Sequence, residues 1–230
     1  MSRTHQVNGY NGVSLHVSDI GSENDRSIIL LHGWSQCHLA FDRQAKLADQ
    51  FRIILPDLRG HGQSDKPLDA KCYNSSRPWA EDIHAIIQDL KLRHPLLVGW
   101  SMGGWAVMDY LEHFGDAAVA GVGLIGSSIT TGQHLPPAAA QVRKDPVTKA
   151  MGMYSENLSE NLAAVSAFVD ACFHQKPDAE IKAKAVGYNM LVPPKVRMAS
   201  RLRQEDRRAV AERTKKPCWV AWGDHERLAP

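Results

Sequence analysis

A mostly parallel β-sheet flanked by helices, interrupted once by a helical insertion, is the architecture this chain predicts. Three observations carry that expectation. Short apolar runs alternate with segments of helical periodicity from Ser27 onward. Those runs are continuously apolar rather than alternating, which marks strands buried on both faces of a parallel sheet. The chain is 230 residues long, enough for one sizeable core. Strands that alternate with helices place a site at the strand ends.

The elements follow in order. His5–Tyr10 and Val13–Asp19 alternate weakly around Asn11-Gly12, the pattern of a hairpin. Buried strands are expected at Ser27–Leu31, Phe51–Leu55, Pro95–Val98, Val119–Ile125 and Pro217–Trp222. Ser76-Arg77-Pro78 opens a helix, with Ser76 as N-cap and Pro78 where its missing N–H costs little. Ile83, Ile86, Ile87 and Leu90 then give that helix one apolar face. A further helix runs from Met102 to His113 and stops at Phe114-Gly115. Residues 129–216 break the rhythm. No strand-like run occurs there, and Leu162, Val165, Phe168 and Val169 recur at helical spacing. This segment reads as a helical cap (129–216) inserted into a core formed by 1–128 and 217–230. Lys195–Lys216 carries nine basic and three acidic residues. The plain expectation is a solvated helix face, and the alternative is guidance of an anionic substrate.

Composition excludes several classes. The formal net charge is +2, which gives no case for nucleic acid. No run approaches the roughly 18 apolar residues of a membrane span, and no apolar stretch follows the first residues as in a signal peptide. Cys37, Cys72, Cys172 and Cys218 are scattered without metal-like or redox-like spacing, as expected of reduced thiols in a cytoplasmic protein. No clustered His, Asp or Glu spacing suggests a metal, and no Gly-x-Gly-x-x-Gly turn suggests a dinucleotide.

The most informative stretch is Gly99-Trp100-Ser101-Met102-Gly103, a Gly-x-Ser-x-Gly pattern between a strand and a helix. A turn this tight leaves no room for side chains at the glycines and holds the serine in a strained conformation with its hydroxyl exposed. Two further strands end in His32-Gly33-Trp34 and in Asp57-Leu58-Arg59-Gly60-His61-Gly62-Gln63-Ser64. With these three motifs in this order the chain resembles the α/β-hydrolase family. Gly-Trp-Ser-Met-Gly-Gly followed by Val107–Leu111 is most similar to its small-esterase and cofactor-free haloperoxidase branch.

That resemblance implies an α/β-hydrolase fold and a cofactor-free serine hydrolase acting on a small-molecule ester. Ser101 is the expected nucleophile. A serine hydroxyl needs a base, a group that orients the base, and donors for the developing oxyanion. One donor is the backbone N–H of Met102, at the positive end of a helix; by resemblance the other is that of Trp34. Trp100 and Trp105 flank the elbow. The family places an aspartate three residues after a glycine following the last strand read here; that position is Glu226, with Asp224 as the alternative. The family's histidine comes after the acid and one more strand, and no histidine of this chain follows at a workable distance. The expectation is therefore that the base is not in this chain, which lacks the final strand and helix. His32 and His61 are expected to be structural, and Asp57 and Arg59 to set turn geometry and a salt bridge. Ser101 argues against a dehalogenase of this fold, which needs a carboxylate there. The rival reading is a ligand-binding protein with an incomplete triad.

Overall fold

The computed structural model describes residues 2–22, 26–137 and 151–225. Seven strands form one sheet: β1 (Ser2–Asn8), β2 (Ser14–Ile20), β3 (Ser27–Leu31), β4 (Arg52–Pro56), β5 (Leu96–Trp100), β6 (Gly121–Ile125) and β7 (Cys218–Ala221), in the order β1-β2-β4-β3-β5-β6-β7. β1 and β2 are antiparallel, as the expected hairpin requires, and β2 joins β4 antiparallel. The remaining pairs are parallel. The hairpin turns through Asn11 and Gly12 at φ 55° and 76°, the left-handed region that Asn and Gly tolerate best.

Six helices accompany the sheet among the described residues: α1 (Ser76–Asp89), α2 (Met102–Phe114), α3 (Leu158–Ala171), α4 (Ala179–Met190), α5 (Pro194–Ser200) and α6 (Arg208–Arg213). α1 starts at Ser76 itself, so its N-cap is Ser75, one residue before the expected Ser76. Ile83, Ile86 and Ile87 are buried on its inner face as the spacing predicts. α2 ends at Phe114, and Gly115 takes φ 67° to stop it. α1 and α2 close one face of the sheet, packing Ile83, Ile87, Val107 and Leu111 with Ile29, Leu31, Ile54 and Leu97 in one apolar core. On the other face a 3₁₀ segment, His38–Asp49, brings Phe41 onto Ile28, Leu30, Ile53, Leu55 and Val98.

α3 to α6 fall within the stretch read as a cap. Val165, Phe168 and Val169 of α3 are buried, whereas Leu162 is 45% exposed and stands outside the expected apolar stripe. The basic segment differs more sharply from a solvated face, since Arg197, Arg203 and Arg207 are all buried. Arg197 donates to Ser35 Oγ, Met153 O, Asn161 Oδ1 and Asn189 O, so one guanidinium ties α5 to α3, to α4 and to the loop after β3. Arg203 and Arg207 share the Asp109 carboxylate of α2, with Glu205 beside them. Buried charges persist only when paired in this way, and Asp109, the acid they share, lies more than 90 positions away in sequence. No helix among the described residues is long and apolar enough to cross a membrane. β7 lies at the sheet edge, with Trp219 and Val220 42% and 60% exposed.

Candidate active site

The turn that carries Ser101, the expected nucleophile, is built by close approach of backbone. A Cβ on Gly99 would stand 2.3 Å from the Gly103 carbonyl, and one on Gly103 would stand 2.0 Å from the Leu31 carbonyl oxygen. A Cβ on Gly104 would meet Ser127 Oγ at 2.2 Å. The helix can therefore start directly over the ends of β3 and β5 only with glycine at these places. Between them Ser101 adopts φ 53°, ψ −118°, far from any conformation a serine prefers. The strained residue is held from both sides: its N–H donates to Ile125 O at 2.8 Å, and its carbonyl accepts from Ser127 Oγ at 2.7 Å. Met102 is the first residue of α2, so its N–H has no acceptor within the helix.

The turn after β3 is set by two histidines. His32 Nδ1–H donates to Gly33 O at 2.9 Å while His32 Nε2 accepts the Leu58 N–H at 3.0 Å. His61 Nδ1–H donates to Arg59 O, and its Nε2 accepts the Ser35 N–H. Each ring is thus fixed as one neutral tautomer, a structural role that agrees with the sequence expectation. The Gly33 carbonyl also accepts the Gln36 N–H. In a trans peptide the next N–H points opposite to the carbonyl. The Gly33 carbonyl faces its two donors, so the Trp34 N–H faces away from them. The Gly33 Cα itself faces Ser101: a Cβ there would lie 3.4 Å from Ser101 Cβ.

These parts line a cavity of about 340 Å³ that includes Gly33, Trp34, Ser101, Met102, Trp100 and Trp105. The far wall comes from the stretch read as a cap: Phe168 and Cys172 of the α3 end, then His174 and Arg201. Trp34 is buried, and its indole N–H donates to Arg197 O and Ser200 Oγ, each at 3.1 Å. Phe168 meets its ring edge-on at 5.4 Å, and the Arg201 guanidinium lies over it at 4.8 Å. Burial pushes the Arg201 guanidinium below its usual range. Of the two candidate acids, Asp224 lines the cavity, and Glu226 lies outside the described residues. His174 and His225 also line it and stack on one another, 4.0 Å between centroids and 8° between planes. No sequence signal singled out this pair, because its members come from the segment after α3 and from the loop after β7. Among the described residues no histidine hydrogen-bonds Ser101 Oγ.

Asp57 and Arg59 serve the turns, as expected. Arg59 makes a two-pronged ion pair with Asp82 at 2.7 Å. Asp57 accepts the N–H groups of His38 and Gln63 as well as His38 Nδ1–H. Burial opposes its ionisation, but the His38 bond, the His32 field and the Gln63 N–H outweigh it and bring Asp57 down to about 2. Burial brings His32 down to about 4 and His61 to about 3.

These shifts give stability a defined pH dependence. Between about pH 6.5 and 4 the unfolded chain takes protons on these two histidines that the folded chain refuses, so stability falls as pH falls. Below about pH 4 Asp57 adds to the loss, since the unfolded carboxyl protonates first. Thermal melts are expected to show Tm declining from about pH 6.5 downward, with a shallower upper limb in His32→Asn. A flat Tm between pH 7 and 5 would contradict the neutral, buried assignment of both rings.

The comparisons agree with this architecture. Residues 26–230 match the alpha/beta hydrolase fold family. The AB hydrolase superfamily protein YisY of Bacillus subtilis is 28% identical over 232 residues, covering 98% of this chain and 83% of that protein. A non-heme chloroperoxidase of Streptomyces lividans is 28% identical over 158 residues, 68% of this chain and 52% of that one. Among solved structures, the esterase RhEst1 from Rhodococcus superposes with a TM-score of 0.88 at 28% identity, covering 98% of this chain and 82% of that one. Elbow, histidine-set turn, sheet order and family match converge: this chain belongs to the alpha/beta hydrolase fold family.

Proposed function

We propose that the protein is a serine hydrolase that cleaves small or medium carboxylic esters through an acyl-enzyme. The observation that carries this reading is the strained Ser101 on the wall of a cavity that also receives the first N–H of α2. Strain of this kind costs about 1–3 kcal/mol, and a purely packing serine has no use for it. Ser101 Oγ attacks the ester carbonyl while an imidazole takes its proton. The Trp34 and Met102 N–H groups hold the oxygen that becomes negative. The tetrahedral species then expels the alcohol, which receives that proton, and water repeats the sequence on the acyl group. Hydrogen peroxide in place of water would release a peracid, a side reaction in keeping with the similarity to a chloroperoxidase. Glu226 is the proposed orienting acid. Residues 129–216, the proposed cap, shape the acyl pocket through Phe168 and Arg201. None of the four cysteines is in a disulfide, which suits the cytoplasm.

A second reading, a binding protein without turnover, is favoured by the absence, among the described residues, of a histidine bonded to Ser101 Oγ. A fluorophosphonate probe decides between them, because it phosphonylates the hydroxyl, with loss of fluoride, only where a base activates it. The purified 230-residue chain is labelled and the adduct mapped by mass spectrometry. An adduct on Ser101 that disappears in His174→Ala or His225→Ala supports hydrolysis with a base from the stacked pair. A folded chain that stays unlabelled and binds small esters without turnover supports the second reading.

A further inference from the structure

A second cluster of chemistry-bearing side chains lies away from Ser101, among residues that do not line its cavity. His16 on β2 and Asp57, which follows β4, face one another across the antiparallel β2–β4 pair. Val17 pairs with Pro56, and the Asp57 N–H donates to His16 O at 2.8 Å, which carries the register one residue further. Directly opposed residues project from the same face of a sheet. His38, at the start of the 3₁₀ segment, is brought to the same point by its own backbone, whose N–H donates to Asp57 Oδ1 at 2.7 Å. The two imidazoles lie 5.1 Å apart, and one ligand atom from each of His16, His38 and Asp57 falls within 4.8 Å of the others.

We propose that His16, His38 and Asp57 form a binding site for a borderline first-row divalent cation of the zinc type, separate from the ester-cleaving cavity.

Four observations support it. The donor set, two imidazoles and one carboxylate, suits zinc and its neighbours rather than calcium or magnesium, which take oxygen ligands. Asp57 is fully buried and, among the described residues, its one ion-pair partner is His38, so an ionised carboxylate sits with a titratable partner alone. Lys66 lies near enough to feel that charge, but its ammonium hydrogen-bonds the carbonyls of Gly62 and Ser64. His16 is 6% exposed, and its Nδ1 is buried without a partner, although buried ring nitrogens are ordinarily bonded. Finally, the carboxylate is already oriented by the N–H groups of His38 and Gln63, the outer hydrogen bonds that metal-binding carboxylates usually have. His38, whose side chain is 14% exposed, is the least buried of the three and would give the ion its route in. Binding replaces the His38–Asp57 hydrogen bond with two bonds to the metal, and water completes the coordination. The ion would clamp β2, the end of β4 and the segment that follows the turn after β3.

The test uses the tag-free chain after chelator treatment, titrated with zinc by calorimetry and with cobalt(II) by visible absorption. The expected result is one equivalent bound, a raised Tm, and cobalt bands of a four- or five-coordinate site. His38→Ala, a change at the partly exposed member, should weaken binding by at least about tenfold and remove the rise in Tm. His16→Gln serves as the second variant if His38→Ala does not fold. The double variant His174→Ala/His225→Ala should bind as the parent does. Absence of binding overturns the proposal. So does binding that survives both His38→Ala and His16→Gln, or binding lost in the double variant, which would place the ion on the stacked pair in the ester cavity.

Discussion

Ser101→Ala is expected to lower the hydrolysis of a short-chain aryl ester by about 10⁴- to 10⁶-fold, leaving only the residual rate that binding and the oxyanion donors give over water. The reason is specific to position. Ser127 and Ser128 line the same cavity, but Ser127 Oγ is committed to the Ser101 carbonyl and Ser128 Oγ to Thr130 O. Neither sits on a strained turn at a helix start. Alanine also accepts φ 53° poorly, so the backbone gains nothing from the change. Initial rates with parent and variant at equal concentration give the ratio, and circular dichroism confirms that the variant is folded. A variant retaining a tenth of the parent rate would remove Ser101 from the mechanism.

Gly103→Ala should be the most damaging single methyl in the molecule. Its Cβ would stand 2.0 Å from the Leu31 carbonyl oxygen and 2.9 Å from that of His32, both main-chain atoms. Neither can yield without moving β3 or lifting α2, and α2 carries Met102. A loss above ~4 kcal/mol is expected, within the tail reserved for backbone clashes. Gly187 provides the contrast. It lies inside α4, and a methyl added there would meet nothing within 4 Å, so Gly187→Ala should stabilise by about 0.5–1 kcal/mol through helix propensity alone. Urea unfolding of both variants beside the parent measures the two signs in one experiment. Near-parental stability for Gly103→Ala would mean that the elbow is less tightly packed than described.

Much of this molecule was legible because its decisive features are local. Gly99 to Gly103 contain within five residues the strained turn and the two glycines it needs, although Leu31, Ile125 and Ser127 complete its surroundings. His32 bonds its own neighbour's carbonyl, and His61 a carbonyl two residues back, so motif and geometry coincide. What escaped the sequence depends on residues far apart. Arg203 and Asp109 are separated by 94 positions, and Arg197 and Ser35 by 162. A run of arginines reads as solvated until the buried acceptors are known. The same holds for His16 and Asp57, which nothing joins except the β2–β4 register, and for His174 and His225, which meet only across the cavity. Leu162 shows the opposite failure: helical spacing correctly predicted α3 but not which of its apolar residues face inward.

The anchoring of Trp34 has a consequence for how such a protein diversifies. Its backbone belongs to the proposed oxyanion site, while its indole is bonded to Arg197 and Ser200 of α5 and covered by Arg201 and Phe168. One residue therefore links the position of the proposed cap to the proposed oxyanion site. On the proposed reading, a substitution in α5 that moves the Arg197 carbonyl or Ser200 would also shift the Trp34 N–H proposed to stabilise the transition state. Substrate range and turnover are then not separately adjustable, and new specificities should arise by paired changes in α5 and around residue 34 rather than by wholesale exchange of the cap.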